Sequence, residues 1–278
     1  MTIRTALQQG RKLLEDARVA VPQLTAEVLL MHAISHERTV DRAWLHAHSN
    51  DELREVWWIH YGRYLHERMA GKPTQHITGV QEFYGRDFRV TPEVLIPRPE
   101  TEHLIDAAKA RIQTGDRVID IGTGSGAIAV TLALETTARI FATDVSASAL
   151  AVARQNAGRR RAEVEFVLGD LSGMLAPQSI DVIVSNPPYV PSRDQANVQR
   201  EVREHEPALA LFGGEDGLAV YRRLIPQAAR TLKPGGWLVI EIGFGQAAAV
   251  RELLAEWDAV EETADLAGLP RVISARRV

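Results

Sequence analysis

Two kinds of hydrophobic spacing divide this chain. Over residues 1–72 apolar positions recur every three or four residues: Ile3, Leu7, Leu13 and Leu14, then Val28, Leu29, Met31 and Ile34 beyond Pro22 and Thr25. That spacing predicts amphipathic helices. A third, longer helix is predicted to start near Asn50 or Asp51, both good capping residues, and to run through Leu53, Trp57, Ile59, Tyr64 and Leu65 to Met69. Gly71-Lys72-Pro73 ends it. The stretch reads as a small bundle with Trp57, Trp58, Tyr61 and Tyr64 as core rather than as a partner surface. Over residues 73–98 the spacing shortens. Phe83-Tyr84 and Phe88-Arg89-Val90 flank Gly85-Arg86-Asp87, which predicts a β-hairpin with its turn at those three residues.

From residue 99 onward a third regime begins. Pro99 suits a first helical position, Glu100 and Glu102 suit the positive end of the helix dipole, and the helix continues through Leu104, Ile105 and Ala108. Short β-branched runs then alternate with helical segments. Strands are predicted at Arg117–Ile121, Arg139–Thr143, Val164–Leu168, Asp181–Ser185, Trp237–Glu241, Val260–Thr263 and Val272–Ala275. Helices are predicted from Gly126, over Ser146–Asn156 and over about Gly217–Leu232, with Lys233-Pro234-Gly235-Gly236 turning into the next strand. Such alternation implies an α/β fold with a doubly wound, mostly parallel sheet and right-handed crossovers. The expected organisation is a helical bundle at 1–72, a hairpin linker at 73–98 and a larger domain at 99–278.

Composition removes several classes of function. The chain has 278 residues, 45% of them hydrophobic and 24% charged, which is ordinary for a globular protein with a substantial core. There is no cysteine, so disulfides and thiolate metal sites are excluded. A net charge of -4 gives no global basic field for nucleic acid or an anionic membrane. Arg159-Arg160-Arg161 is the one basic cluster and reads as a solvated loop. The first residues carry no continuous apolar run of the secretory type, and no apolar stretch is long enough to span a bilayer. A cytoplasmic, non-membrane protein is expected.

Against this background the stretch Asn186-Pro187-Pro188-Tyr189 stands out. It follows a buried-strand pattern, and two prolines end the ladder because neither has an N–H to donate. Ligands of open α/β sheets lie outside the carboxyl ends of the strands. An amide side chain, freed carbonyls of Asn186 and Pro187, and an aromatic ring are thus expected together there, suited to a planar group bearing NH2. Asp120-Ile121-Gly122-Thr123-Gly124-Ser125-Gly126 joins the first strand to its helix. Its glycines allow a tight turn and close approach of a ligand. Asp144 ends the next strand, where a carboxylate can take both ribose hydroxyls, and Asp170-Leu171 follows the third, beside the place of an adenine. Gly122, Gly124 and Ala127 also satisfy the dinucleotide pattern. Asp120, directly before the glycines and able to sit near a cationic ligand, and the Asn-Pro-Pro-Tyr corner favour S-adenosylmethionine over NAD. No Asp or His stands out as a general base, and His205 reads as a structural loop residue.

These motifs, with Pro73–Gly79, Phe83-Tyr84-Gly85, Leu95–Glu102, His205–Leu209, Gly213–Gly217, Leu232–Gly236 and Gly268–Arg271, span essentially the whole chain. Together they resemble the protein-(glutamine-N5) methyltransferases that modify peptide-chain release factors, the HemK/PrmC type. The resemblance implies a class I S-adenosylmethionine-dependent methyltransferase fold, a Rossmann-like seven-stranded sheet preceded by a helical bundle and a hairpin linker. It implies S-adenosylmethionine as cofactor and S-adenosylhomocysteine as product, held by Gly122, Thr123, Gly124, Ser125, Gly126, Asp144, Asp170, Leu171 and Asn186. It implies that Asn186, Pro187, Pro188 and Tyr189 grip the glutamine of a Gly-Gly-Gln loop in class 1 release factors, with Asn186, Pro187 and Tyr189 catalytic. Relatives often carry a bulky aromatic where Leu171 stands, so here the adenine gains an apolar lid without stacking. On this reading Asn186 Oδ1 and the Pro187 carbonyl accept the two N–H bonds of the glutamine, Tyr189 packs on the amide plane, and the bundle docks the substrate. A monomer with no metal and no direct nucleic-acid partner is expected. Two alternatives remain at this point. One is an N6-adenine nucleic-acid methyltransferase, which the mixed charges of Ser192–Pro207 disfavour. The other is a non-enzymatic adaptor on the same scaffold.

Overall fold

The computed structural model describes residues 1–278. Contacts divide the chain into two compact units, Met1–Gly79 with Arg200–His205, and Val80–Gln199 with Glu206–Val278.

The first unit is helical: α1 (Ile3–Asp16), α2 (Pro22–Ser35), α3 (Arg42–Ala47), α4 (Glu55–Met69) and α5 (Thr74–Thr78), joined later in the chain by α9 (Arg200–His205). Its core is built from Ile3, Leu7, Leu14, Leu29, Leu30, Ile34, Leu45 and Leu65 with Trp57, Tyr61 and Tyr64, while Trp58 is only partly buried. The long helix begins at Glu55, later than Asn50 or Asp51, and Arg54 at its start gives no side-chain cap. Backbone pairing is the reason. Ile3 N donates to the Asp51 carbonyl (3.0 Å) and Leu53 N to the Met1 carbonyl (2.8 Å), which holds residues 51–53 extended. The cap that spacing did not reveal is Asp41, whose carboxylate accepts from Trp44 N at 2.7 Å to start α3. Arg68 of α4, nearly buried, pairs with Glu201 of α9. His205 therefore ends a helix and is not a loop residue.

The second unit opens with the hairpin of β1 (Val80–Phe83) and β2 (Arg86–Arg89). Its turn is the two-residue Tyr84-Gly85, with φ of +53° and +69°, and Phe83 pairs Arg86. Two successive left-handed residues make the turn whose twist matches paired strands, so Arg86 and Asp87 belong to β2 rather than to the turn.

The rest of this unit runs α6 (Glu102–Lys109), β3 (Arg117–Ile121), α7 (Ala127–Glu135), β4 (Arg139–Asp144), α8 (Ala147–Arg160), β5 (Val164–Leu168), β6 (Ile180–Ser185), α10 (Ala208–Leu211), α11 (Ala219–Thr231), β7 (Leu232–Glu241), α12 (Ala247–Leu253), β8 (Asp258–Ala264) and β9 (Pro270–Arg276). Arg159 and Arg160 form the last turn of α8, not a loop, and there they complement the helix dipole. The seven strands lie in the order β5-β4-β3-β6-β7-β9-β8. Pairs among β5, β4, β3, β6 and β7 are parallel; β9 is antiparallel to β7 and to β8. β7 starts at Leu232, which pairs Ile180 before the ladder shifts and resumes at Trp237. Both faces of the central strands are covered, which explains their unbroken apolar runs, while the edge strands β5 and β8 are largely exposed. Val182 and Val184 pack with Leu104, Val130 and Leu132 on one face. Ile183 packs with Tyr221, Leu224 and Ile225 on the other.

Candidate active site

Strand order reverses between β3 and β6, since β4 and β5 lie to one side and β7 to the other. The two strands pair in register, Asp120 with Val184 and Ile121 with Ser185. The glycine turn and the Asn-Pro-Pro-Tyr corner therefore leave adjacent strands at the same level, at the topological switch point where such sheets bind ligands. A cavity of about 180 Å³ opens there, lined by Gly122, Gly124, Asp144, Asp170, Leu171, Asn186 and Pro188.

The turn is held by its backbone. Gly122 N and Thr123 N both donate to the Thr143 carbonyl, each at 2.9 Å. Gly122 and Gly124 have φ of +75° and +54°, and a Cβ built on either meets no protein atom. Side chains there would project into open space beside the cavity the two residues line. Gly126 has a different role, because its Cβ would come within 3.0 Å of Ala153 Cβ. It lets α7 and α8 approach and does not line the cavity. Thr123 and Ser125 line a smaller adjoining hollow that also takes in Leu95, Thr101 and Asn186. Asn156, fully buried, donates to the Ser125 carbonyl (2.8 Å) and exchanges two hydrogen bonds with the Arg89 backbone, so it ties the hairpin to the turn.

Asp120 turns into the protein rather than toward the cavity. Its Oδ2 accepts from the Thr123 hydroxyl at 2.6 Å and from Ala129 N at 3.2 Å, and its Oδ1 has no partner. Burial pushes the carboxyl up to about 7, with the Asp144 charge adding to the effect. The folded protein thus binds a proton here that the unfolded chain releases near the ordinary Asp range. Asp120 accordingly favours the fold most below that range, and this contribution is lost as pH rises toward 7. Asp120→Asn is expected to flatten the fall in melting temperature between about pH 4 and pH 7; an undiminished slope in the variant would refute the assignment.

Asp144 faces the cavity from the end of β4. Its Oδ2 accepts from Gly124 N and its Oδ1 from Ser146 N, each at 2.9 Å. Each oxygen keeps a further lone pair. Asp170 also lines the cavity and pairs with Arg223 of α11. Leu171 has φ of +53°, a conformation uncommon for such a side chain, and its carbonyl accepts from the Thr143 hydroxyl at 3.3 Å.

Asn186 lines both hollows and donates from Nδ2 to Thr101 Oγ1 at 3.1 Å. Pro187 is buried, Pro188 lines the cavity, and neither the Asn186 nor the Pro187 carbonyl accepts a hydrogen bond within the chain. The Tyr189 ring does not line the cavity. It packs on the core of the α11 face, and its hydroxyl donates to Glu241 Oε1 at 3.4 Å. The Tyr189 carbonyl accepts from Gln246 Nε2 at 2.9 Å.

Residues given no individual site role from the sequence complete the site. Glu206, buried, accepts from Ile96 N (3.0 Å) and from Arg98 (2.5 Å), bracing the loop that brings Leu95 to the cavity. Val94, Val145 and Leu209 supply further apolar wall. A glycine cradle, a carboxylate with spare acceptors for hydroxyls, and apolar walls fit a nucleoside. Asp144 gives the cavity a carboxylate whose charge no side chain pairs, which suits one that also carries positive charge; Asp170 is already paired with Arg223, which lines the cavity too.

Comparisons with known proteins agree with that chemistry. Residues 5–79 match the family model "PrmC N-terminal domain" and residues 99–215 match "Methyltransferase small domain". The release factor glutamine methyltransferase of Koribacter versatilis is 45% identical over 100% of this chain and 99% of its own length. That of Nitratidesulfovibrio vulgaris is 41% identical over 99% of this chain and 95% of its own. Among solved structures, the hMettl16 catalytic domain has a TM-score of 0.58 at 20% identity, covering 76% of this chain and 81% of that one. A methyltransferase from Pyrococcus furiosus has a TM-score of 0.54 at 20% identity, covering 70% and 90%. These neighbours share the class I methyltransferase fold. With near-complete coverage at such identity, the chain belongs to the release factor glutamine methyltransferase family.

Proposed function

We propose that this protein methylates the side-chain amide nitrogen, N5, of the glutamine in the Gly-Gly-Gln loop of class 1 peptide-chain release factors, in support of translation termination. S-adenosylmethionine supplies, when bound, an electrophilic methyl group on a sulfonium. Asp144 takes the ribose hydroxyls, Gly122 and Gly124 leave room for the chain of the ligand, and Leu171 caps the adenine. Thr123, Ser125 and Gly126 shape the turn from behind. The observation that carries this reading is the placement of Asn186 on the same cavity as Asp144 and the two glycines.

An amide nitrogen is a poor nucleophile because its lone pair is delocalised into the carbonyl. Asn186 Oδ1 and the Pro187 carbonyl accept its two N–H bonds, which fixes the nitrogen and raises its electron density. Orientation of this kind supplies ~7–11 kcal/mol of a bimolecular barrier. Carbonyl dipoles held rigid by two prolines also favour the positive charge developing on nitrogen. No strong base is needed, since the N-methylated amide cation gives up its proton readily. Tyr189 braces the corner from the core side. The bundle acts as the docking module for the release factor, whose loop alone offers little surface. No helix is long and apolar enough to cross a membrane; we assign the enzyme to the cytoplasm as a monomer without a nucleic-acid partner.

The test is transfer of labelled methyl from S-adenosylmethionine to a release factor, to its Gly-Gly-Gln Gln→Ala variant and to DNA. Label in the first alone is expected. Label in the variant or in DNA would contradict the proposal.

A further inference from the structure

The cavity at the switch point is walled without an aromatic ring. Val145, Leu171, Leu209 and Val220 line it with aliphatic side chains, and no Phe, Tyr, Trp or His is among its lining residues. A single cation reaches it, Arg223 of α11. Arg223 Nη2 donates to Asp170 Oδ2 in an ion pair whose side chains are 55% and 57% exposed, so much of the guanidinium surface is uncovered. Val220, three residues earlier on α11, lines the cavity from the same helix face. The adjacent Arg222 is turned elsewhere, to Asp216, by hydrogen bonds of 3.0 and 2.5 Å. An exposed ion pair adds little to stability, and nothing in the reaction described above uses Arg223.

We propose that the Arg223 guanidinium is the stacking surface for the adenine of S-adenosylmethionine. This rests on the reading of the cavity given under Proposed function and adds a contact to it. A purine is flat and carries π-electron density on both faces. Aliphatic walls, Leu171 included, give it dispersion contact but no preferred orientation. A guanidinium is planar, delocalised and weakly hydrated, and it lies on aromatic faces in a way the compact ammonium of Lys does not match. Bases are held on Arg planes by the same physics when nucleic acids are bound. One N–H of Arg223 is spent on Asp170, which fixes the plane. Ordering a long side chain costs affinity when the ligand must do it, and here the ion pair does it beforehand.

Strand order puts the residue at the right end of the ligand. The glycine turn follows β3 and Asp144 ends β4, whereas Asp170 and Leu171 follow β5, the strand beyond. Arg223 joins the site there, through Asp170. A cation beside the sulfonium would repel it. Against the adenine, which is neutral, the same cation meets no such cost and gains from the ring.

The experiment uses the full chain with S-adenosylhomocysteine as the probe. Calorimetry reads its affinity for wild type, Arg223→Ala and Arg223→Lys, each checked by circular dichroism. Arg223→Ala is expected to bind about three- to tenfold more weakly, the scale of one cation–π contact at a partly exposed site. Arg223→Lys keeps the charge without the plane and should lose about as much. Nuclear magnetic resonance on arginine-labelled protein then separates a face contact from an edge contact. Ring currents move protons above an aromatic face upfield and protons in its plane downfield. The Arg223 Cδ protons, assigned by their loss in the variants, should therefore move upfield when the probe binds. Unchanged affinity in a folded Arg223→Ala, full affinity in Arg223→Lys, or a downfield or absent shift in wild type would each overturn the proposal. Should one variant fail to fold, the other and the wild-type shift decide. Failure of wild type to bind S-adenosylhomocysteine at all would instead refute the cofactor reading given above.

Discussion

Asn186→Ala is expected to lower kcat for release-factor methylation by about a hundred- to a thousandfold, the range seen when one preorganised polar contact to the reacting group is deleted. Affinity for S-adenosylhomocysteine should change only a few-fold, because the proposed cofactor contacts of Gly122, Gly124 and Asp144, which line the same cavity, stay in place. Binding of release factor should weaken little if, as proposed, docking draws on surface beyond the loop. Stopped-flow or single-turnover methyl transfer separates these quantities. A variant that transfers methyl near the wild-type rate would show that the corner does not grip the substrate. On the mechanism proposed above the loss is large because the amide nitrogen draws both its orientation and its electron density from two acceptors, of which the Asn186 side-chain oxygen is one.

Asp144→Ala should act on the other partner. Charge-assisted hydrogen bonds are worth ~1.5–3 kcal/mol each, and two hydroxyls on one carboxylate point to a loss of about a hundredfold or more in cofactor affinity. The substitution also removes the acceptor for Gly124 N and Ser146 N, so the glycine turn loosens as well. Asp144→Asn keeps an acceptor and should lose about tenfold. Calorimetry with S-adenosylhomocysteine reads both, and unchanged affinity in the alanine variant would place the ribose elsewhere.

How much of this could be read from the residues alone differs by element. The central strands were legible because both of their faces are buried, so Val118–Ile121 and Val182–Val184 form short β-branched runs. The switch point was legible because glycines and prolines punctuate the ends of β3 and β6. The start of α4 was not, because the pairing of residues 51–53 with the N-terminus is long-range and overrides a good capping residue. The hairpin turn shifted by one position because Tyr84 adopts a left-handed conformation that a bulky side chain seldom takes. Asp120 reads as a ligand-facing acid by its nearness to the glycines, yet strand alternation turns it inward to hold Thr123. Tyr189 likewise reads as a cavity ring, but Glu241 draws its hydroxyl into the core.

The central claim is that the proline-braced corner at the end of β6 holds a carboxamide beside the nucleoside site. A crystal structure of the enzyme with S-adenosylhomocysteine and a release-factor domain bearing the Gly-Gly-Gln loop tests it directly. The glutamine nitrogen is expected within hydrogen-bond distance of Asn186 Oδ1 and the Pro187 carbonyl; a glutamine seated elsewhere, with those two oxygens facing solvent, would contradict it.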